Sequence, residues 1–142
     1  MLASLIVLAS VGSLVITTVA HAWCGTDVVI IKGRVERSPR RAMVRVQLVF
    51  SKQKLGESGE VTVENGKFTI QIPFLTQSRA PVLIGSLMEK CDRKPKTVVV
   101  TLLERDQNQE YDHVSLDLAT DFKLADPTAY APRSEIVLSG LH

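Results

Sequence analysis

The sequence has few aromatic residues and few cysteines. Only 5% of its 142 residues are Phe, Trp or Tyr, and only 2 are Cys. Two thiols are too few for a four-cysteine zinc site or for a dense disulfide scaffold. The apolar share of 45% and the net charge of +2 are ordinary for a globular chain, and they do not identify a nucleic-acid binder. A globular protein that depends on a hydrophobic core is the class that remains.

The first 22 residues differ in composition from the rest. Residues 1–22 contain no Asp, Glu, Lys or Arg, and they end in Ala20-His21-Ala22, a small-x-small pattern typical of a signal-peptidase site. We predict a signal peptide here, with export by the Sec route to a periplasmic or extracellular compartment. An uncleaved membrane anchor is the alternative, because about 19 apolar residues can just span a bilayer. After cleavage, no stable membrane span is expected.

The rest of the chain, residues 23–142, alternates apolar and polar residues with a period of two. Successive side chains on a strand point to opposite faces, so this pattern indicates strands that bury one face. Residues 82–88 and 98–103 are instead apolar on both faces and are predicted as central strands. The predicted strands are residues 28–35, 44–50, 67–72, 82–88, 98–103, 113–118 and 136–138. We therefore predict one all-β domain, a Greek-key Ig-like or prealbumin-like sandwich of seven to eight short, mainly antiparallel strands.

The segment Glu64-Asn65-Gly66-Lys67 is the strongest local turn signal. Asn and Gly tolerate the positive φ that both central positions of a type I′ hairpin require. Continuing the register outward from this turn pairs Val61 with Ile70, so we expect one continuous hairpin. Residues 55–59 are predicted as a separate turn.

Three of these segments resemble the opening of a transthyretin-like or carboxypeptidase-regulatory-like domain. Residues 31–35 hold a Gly between apolar residues, residues 42–48 contain a V-x-V-x-L strand, and residues 64–70 match a (D/N)-G-x-F-x-(I/L) hairpin. Residues 91–100 are similar to the Cys-containing turn and strand of secreted transthyretin-like proteins. The resemblance covers residues 28–104 and implies a secreted β-sandwich.

One branch of that family hydrolyses 5-hydroxyisourate with His and Arg residues and a C-terminal Tyr-Arg-Gly-Ser tail. The residues 138–142 read Leu-Ser-Gly-Leu-His, so this activity is not expected. His113, Ser115 and Asp117 share one face of a predicted strand and hold the residue types of a hydrolytic triad. Same-face neighbours on a strand lie about 7 Å apart, which is too far for a nucleophile–base relay. No catalytic residue is predicted.

Acidic residues near the C-terminus are the candidates for a metal site. Asp112, His113, Asp117, Asp121 and Asp126 have neither EF-hand spacing nor a His-x-x-x-His pair. We predict a polar edge with acidic loops, without metal or cofactor, and loose calcium binding is the alternative.

Positive charge is concentrated in the first part of the predicted mature chain. Residues 23–96 carry 14 Lys and Arg against 7 Asp and Glu, whereas residues 97–142 carry 3 against 8. Two predicted loops hold candidates for an anion-binding patch, and ordinary polar loops are the alternative. The candidates are Arg37, Arg40, Arg41, Lys90, Arg93, Lys94 and Lys96. No aromatic residue interleaves with them to form a stacking platform, so no nucleic-acid partner is expected.

Cys24 and Cys91 are predicted to form one intramolecular disulfide. The predicted export signal places both in an oxidising compartment, and two cysteines pair without a remainder. The bond would stabilise the fold by about 4 kcal/mol in the chain-entropy treatment. Two free thiols, or a bond between chains, are the alternatives.

These observations favour an exported, non-catalytic β-sandwich that binds a protein, a glycan or a lipid through its loops. A structural or accessory module of an extracytoplasmic assembly is the second hypothesis, and an unrecognised enzyme is the third. Retention on an anionic matrix at low salt would favour the first hypothesis over the second. This retention should be lost at high salt, because salt screens the attraction between exposed cations and the matrix.

Overall fold

The computed structural model describes residues 25–76, 94–106 and 109–140. The predicted signal peptide, Cys24, Cys91 and the predicted strand at 82–88 lie outside these residues, and they stay predictions. The chain divides into two compact units. The unit formed by Asp27–Phe74 and Lys94–His142 contains nearly all described residues, and the fold below is that of this unit. The prediction of one domain over residues 23–142 stays a prediction.

About three quarters of the described residues, 74%, are in β-strands, which confirms the predicted all-β class. One helix of four residues, α1, interrupts the strands between β6 and β7. The strands are β1 Gly25–Glu36, β2 Ala42–Ser51, β3 Lys54–Thr62, β4 Lys67–Thr76, β5 Thr97–Glu104, β6 Gln109–Asp117, β7 Phe122–Asp126, β8 Ala129–Pro132 and β9 Ile136–Ser139, with α1 at Leu118–Asp121. The described residues thus hold nine strands, where seven to eight were predicted.

The strands form two mostly antiparallel sheets, as a β-sandwich requires. The β2 sheet has the order β3-β2-β5-β6 and is antiparallel throughout. The β1 sheet has the order β4-β1-β8-β7, and β9 also pairs with β1. β8 and β9 run parallel to β1 along successive parts of its length, with Val28 beside Ala129 and Gly33 beside Ile136. The chain changes sheet after β1, β3, β4 and β6, a connection pattern typical of Greek-key sandwiches.

Alternate residues of β1, β2 and β5 fill the core between the sheets. A buried Val, Leu or Ile contributes about 1.5–3 kcal/mol, so this cluster supplies much of the driving force for folding. β5 lies in the middle of its sheet as predicted, but only one of its faces is fully buried. The fully buried core residues of these three strands are Val29, Ile31, Val44, Val46, Leu48, Val98, Val100 and Leu102. Because β1 alternates, Lys32 and Arg34 are directed to the solvent on the opposite face.

The turn at Asn65-Gly66 forms as predicted, but the continuous hairpin is wrong. Asn65 and Gly66 have φ values of 54° and 72°, and the backbones of Glu64 and Lys67 exchange two hydrogen bonds of 3.0 Å. Beyond this pair the arms separate, because β3 pairs with β2 and β4 pairs with β1. Each arm thereby gains a long partner strand in a different sheet. β4 buries Phe68, Ile72 and Phe74 in the core, whereas β3 contributes only the partly buried Val61.

The turn predicted at residues 55–59 is also wrong, because these residues belong to β3. The turn lies instead at Lys52-Gln53. β3 is an edge strand that pairs with β2 alone, and register shifts interrupt that pairing. The Phe50 ring lies against Gly56, so a side chain at this position would require the ring to move. The glycine that suggested a turn is therefore a strand residue whose backbone the Phe50 ring approaches closely.

Candidate anion-binding grooves

The structure separates the two predicted basic loops. Arg37, Arg40 and Arg41 lie in the loop after β1, and the carbonyl of Arg41 accepts a 3.1 Å hydrogen bond from Arg105 N, just beyond the end of β5. Lys96 lies just before the start of β5, where its amide donates to Val49 O at 2.9 Å. The eight residues of β5 span about 24 Å, so these loops do not meet in one patch.

The remaining predicted anion-binding residues lie near Lys96 in sequence. Lys94 is described and exposed, whereas Lys90 and Arg93 lie outside the described residues. In the other loop, Arg41 forms an ion pair with Asp106, so part of its charge is neutralised.

A groove that was not predicted runs over the outer face of the β1 sheet. We call it the face groove; its volume is about 540 Å³, and it is lined by outward residues of β1 and β4 and by residues 131–135 of β8 and the following turn. Lys32, Arg34, Lys67 and Arg133 supply its positive charges, and Glu135 supplies a negative one. These residues are distant in sequence and converge because β1 pairs with both β4 and β8.

Three of the four cations in the face groove have no ion-pair partner among the described residues. Arg34 is paired, since its Nε lies 2.9 Å from Glu135 Oε1 and its Nη1 lies 2.8 Å from Glu36 Oε1. The side chains of Lys32, Lys67 and Arg133 form no ion pair or hydrogen bond within the described part of the chain. The groove therefore carries a net positive charge that an anionic ligand can neutralise.

A second groove lies where β7 approaches the segment before β5. We call it the edge groove; its volume is about 740 Å³, and Lys94, Lys96, Lys123 and Arg133 line it. Asp117 is its carboxylate, and one oxygen of Asp117 accepts hydrogen bonds from two backbone amides of α1, at 2.8 and 3.2 Å. Arg133 lines both grooves. The predicted residues Lys94 and Lys96 thus belong to a cationic groove, with two partners that the sequence did not suggest.

Lys94 is held in the edge groove by Tyr130. Its Nζ lies 5.6 Å from the centre of the Tyr130 ring. The hydrogen bond between the Lys94 ammonium and the Tyr130 side chain raises the pKa of Lys94 above its ordinary value of 10.5. The charges of Tyr130, when ionised, and of Asp27 raise it further, and burial opposes them. Lys94 is therefore fully charged at neutral pH.

The predicted triad residues have separate partners. His113 Nδ1 lies 2.7 Å from Glu110 Oε1, and the Asp117 carboxylate is used by α1. Ser115 lies between them on exposed β6. No hydrogen-bonded relay therefore connects these three residues in the structure.

The acidic residues considered for a metal site cap backbone groups. Asp112 Oδ2 accepts from Ser139 N at 2.8 Å, and Asp121 Oδ2 accepts from Asp117 N at 2.7 Å. Asp126 accepts from the amide of Thr128 at 2.8 Å, closing the turn between β7 and β8. Within the described ranges, no three potential ligands group together as a metal site would need. The stretch predicted as a polar edge with acidic loops consists of β6, α1 and β7, and these carboxylates accept hydrogen bonds from backbone amides.

Comparison with known protein families, curated proteins and solved structures gives no match for this chain. Among the described residues, no helix has the length and apolar character needed to cross a bilayer. The function is therefore argued from the two grooves.

Proposed function

We propose that this chain is an exported, non-catalytic β-sandwich module that binds an anionic ligand in the face groove. The observation that carries the proposal is the convergence of Lys32, Lys67 and Arg133, none of which has an ion-pair partner in the described structure. Like charges placed together repel each other, and a bound anion removes that repulsion. This differs from the loop patch expected from the sequence, because the ligand lies on strands.

The lining of the face groove favours recognition by charge. Lys32 and Lys67 provide point charges, and Arg133 can form two parallel hydrogen bonds with a carboxylate, sulfate or phosphate. Phe68 is the aromatic residue in this lining, and it is only 4% exposed. Phe68 is therefore too buried to stack on a ring of the ligand.

The resemblance to transthyretin-like domains supports the same class of module. The segments that carry it within the described chain form parts of β1 and β2, the turn that leads into β4, and the start of β5. We propose that the chain is a secreted or periplasmic relative of these domains, without their hydrolase activity. The structural or accessory module is the second candidate, and absence of any anion binding would favour it.

Retention on immobilised heparin tests the proposal. The exported protein should bind at low salt and elute as salt screens the groove charges. The variant Lys32→Gln/Lys67→Gln/Arg133→Gln should elute at clearly lower salt. The control Arg40→Gln/Lys52→Gln/Arg105→Gln has the same net charge and changes exposed cations outside both grooves. Equal losses in the two variants would contradict the face groove, and no retention of the unaltered protein would contradict anion binding altogether.

A further inference from the structure

We propose that the face groove and the edge groove form one continuous track, and that its occupant is a linear acidic polysaccharide. The inference rests on the proposed function and adds the shape and chemical class of the ligand. Arg133 lines both grooves, so a ligand that follows the cations passes from one to the other at this residue.

Strand register brings the two grooves onto one surface. Val28 lies beside Ala129, and continuing this parallel register places Ile30 beside Ala131. Lys123 lies beside Ala131 on the next strand. Residues directly opposite each other in a sheet have side chains on the same face. Lys123, a residue of the edge groove, therefore lies on the face that forms the floor of the face groove.

The cations form a row that crosses the strands of the β1 sheet. Lys67 is on β4, Lys32 is on β1, Arg133 follows β8, and Lys123 is on β7. Four neighbouring strands span about 14 Å from the first to the last, and Lys94 and Lys96 join Lys123 and Arg133 in the edge groove. A compact anion reaches two or three of these cations. A chain with repeating carboxylates or sulfates can neutralise all of them.

The surface fits a polysaccharide better than a single-stranded nucleic acid or a membrane. The aromatic residues that line the grooves, Phe68, Phe122 and Tyr130, are at most 8% exposed, so they offer no stacking platform for bases. These cations line concave grooves, which an extended chain can enter and a flat bilayer surface cannot. Leu124 is the exposed large hydrophobic residue of the two linings, at 58%.

Titration calorimetry with two probes, a heparin disaccharide and long heparin chains, tests the track at several salt concentrations. The edge variant Lys96→Gln/Lys123→Gln should weaken binding of long chains by about 5- to 30-fold, since each exposed ion pair changes affinity up to about fivefold. It should also reduce the salt dependence of that affinity, because fewer counterions are released. The disaccharide should bind the edge variant as it binds the unaltered protein. The face variant Lys32→Gln/Lys67→Gln should weaken binding of both probes.

The outcomes separate this inference from the function on which it rests. If neither probe binds the unaltered protein, the proposed function fails. If long chains bind the edge variant and the control Arg40→Gln/Lys52→Gln as tightly as the unaltered protein, anion binding stands and the track is overturned. If vesicles containing phosphatidylglycerol bind in a track-dependent way and heparin chains do not, the occupant is a membrane surface and the polysaccharide is overturned.

Discussion

Gly66 is the residue at which the backbone depends most directly on residue type. Its φ is 72°, and its carbonyl accepts a 2.7 Å hydrogen bond from Val35 N, which joins the turn to β1. A β-branched residue is strained in this conformation, so Gly66→Val should lower the free energy of unfolding by about 1–3 kcal/mol. Urea unfolding measures this loss. Thr62→Val, at an exposed strand position, should change it by less than about 0.5 kcal/mol, and equal stability of both variants would contradict the turn.

Lys94 links the fold to pH through its contact with Tyr130. The hydrogen bond to Tyr130 raises the pKa of Lys94 in the folded state, so the folded state favours the protonated form. The resulting stabilisation is complete below the pKa of an unfolded lysine and is lost as pH rises through the higher folded value. NMR titration of the Lys94 side chain should show this raised pKa, and Tyr130→Phe should lower it. The control Tyr111→Phe removes a hydroxyl bonded to Glu104 and should leave Lys94 unaffected; an unchanged Lys94 titration in Tyr130→Phe would contradict the contact.

At the scale of elements, Asp112 connects an edge of the β2 sheet to β9 of the other sheet. Its carboxylate accepts from Ser139 N at 2.8 Å and from His113 N at 2.9 Å. Hydrogen bonds to a charged group contribute about 1.5–3 kcal/mol, so Asp112→Ala should destabilise the fold by an amount in this range and should accelerate amide exchange at Ser139. Asp126→Ala is the matched control, because it should affect the amide of Thr128 instead. Unchanged exchange at Ser139 in Asp112→Ala would show that this connection is not formed.

Alternation in the sequence identifies most of the longer strands. β2, β4 and β6 were predicted because six or seven residues alternate and β5 because it is apolar, and β1 and the short β9 were predicted as further strands. The first part of β3 was missed because Gly56 and Gly59 suggest a turn, and β7 and β8 were missed because they are four or five residues long and joined at Pro127-Thr128. The period of two also cannot identify a partner strand, which is why the arms around Asn65-Gly66 were paired with each other.

The candidate site was only partly predictable, because the sequence pattern does not identify which strands pair. Lys94 and Lys96 were found because they are close in sequence and form a charged run. Lys32, Lys67 and Arg133 lie in three segments that are far apart in sequence, and none of them belongs to either of the two basic loops. They converge only through the pairing of β1 with β4 and β8, which local patterns do not encode.

At the scale of the whole molecule, opposite charges of the two sequence regions meet within the fold. Arg34 pairs with Glu135 and Arg41 pairs with Asp106, so part of the basic excess of the first region is neutralised by the acidic second region. The unpaired cations of the two grooves are among the charges that these ion pairs leave without a partner in the described chain. Since exposed ion pairs contribute at most about 1 kcal/mol each, the charge distribution affects binding more than stability.

Chemical-shift mapping of heparin binding on isotope-labelled protein tests the central claim most directly. We predict that the backbone amides that shift on addition of heparin fragments are those of residues 30–34, 67–69, 131 and 133–135, at the face groove. The shifts should disappear as salt is raised, because screening weakens the interaction. Shifts confined to the loop at residues 37–41, or no shifts at low salt, would contradict the claim that this face of the β1 sheet binds anions.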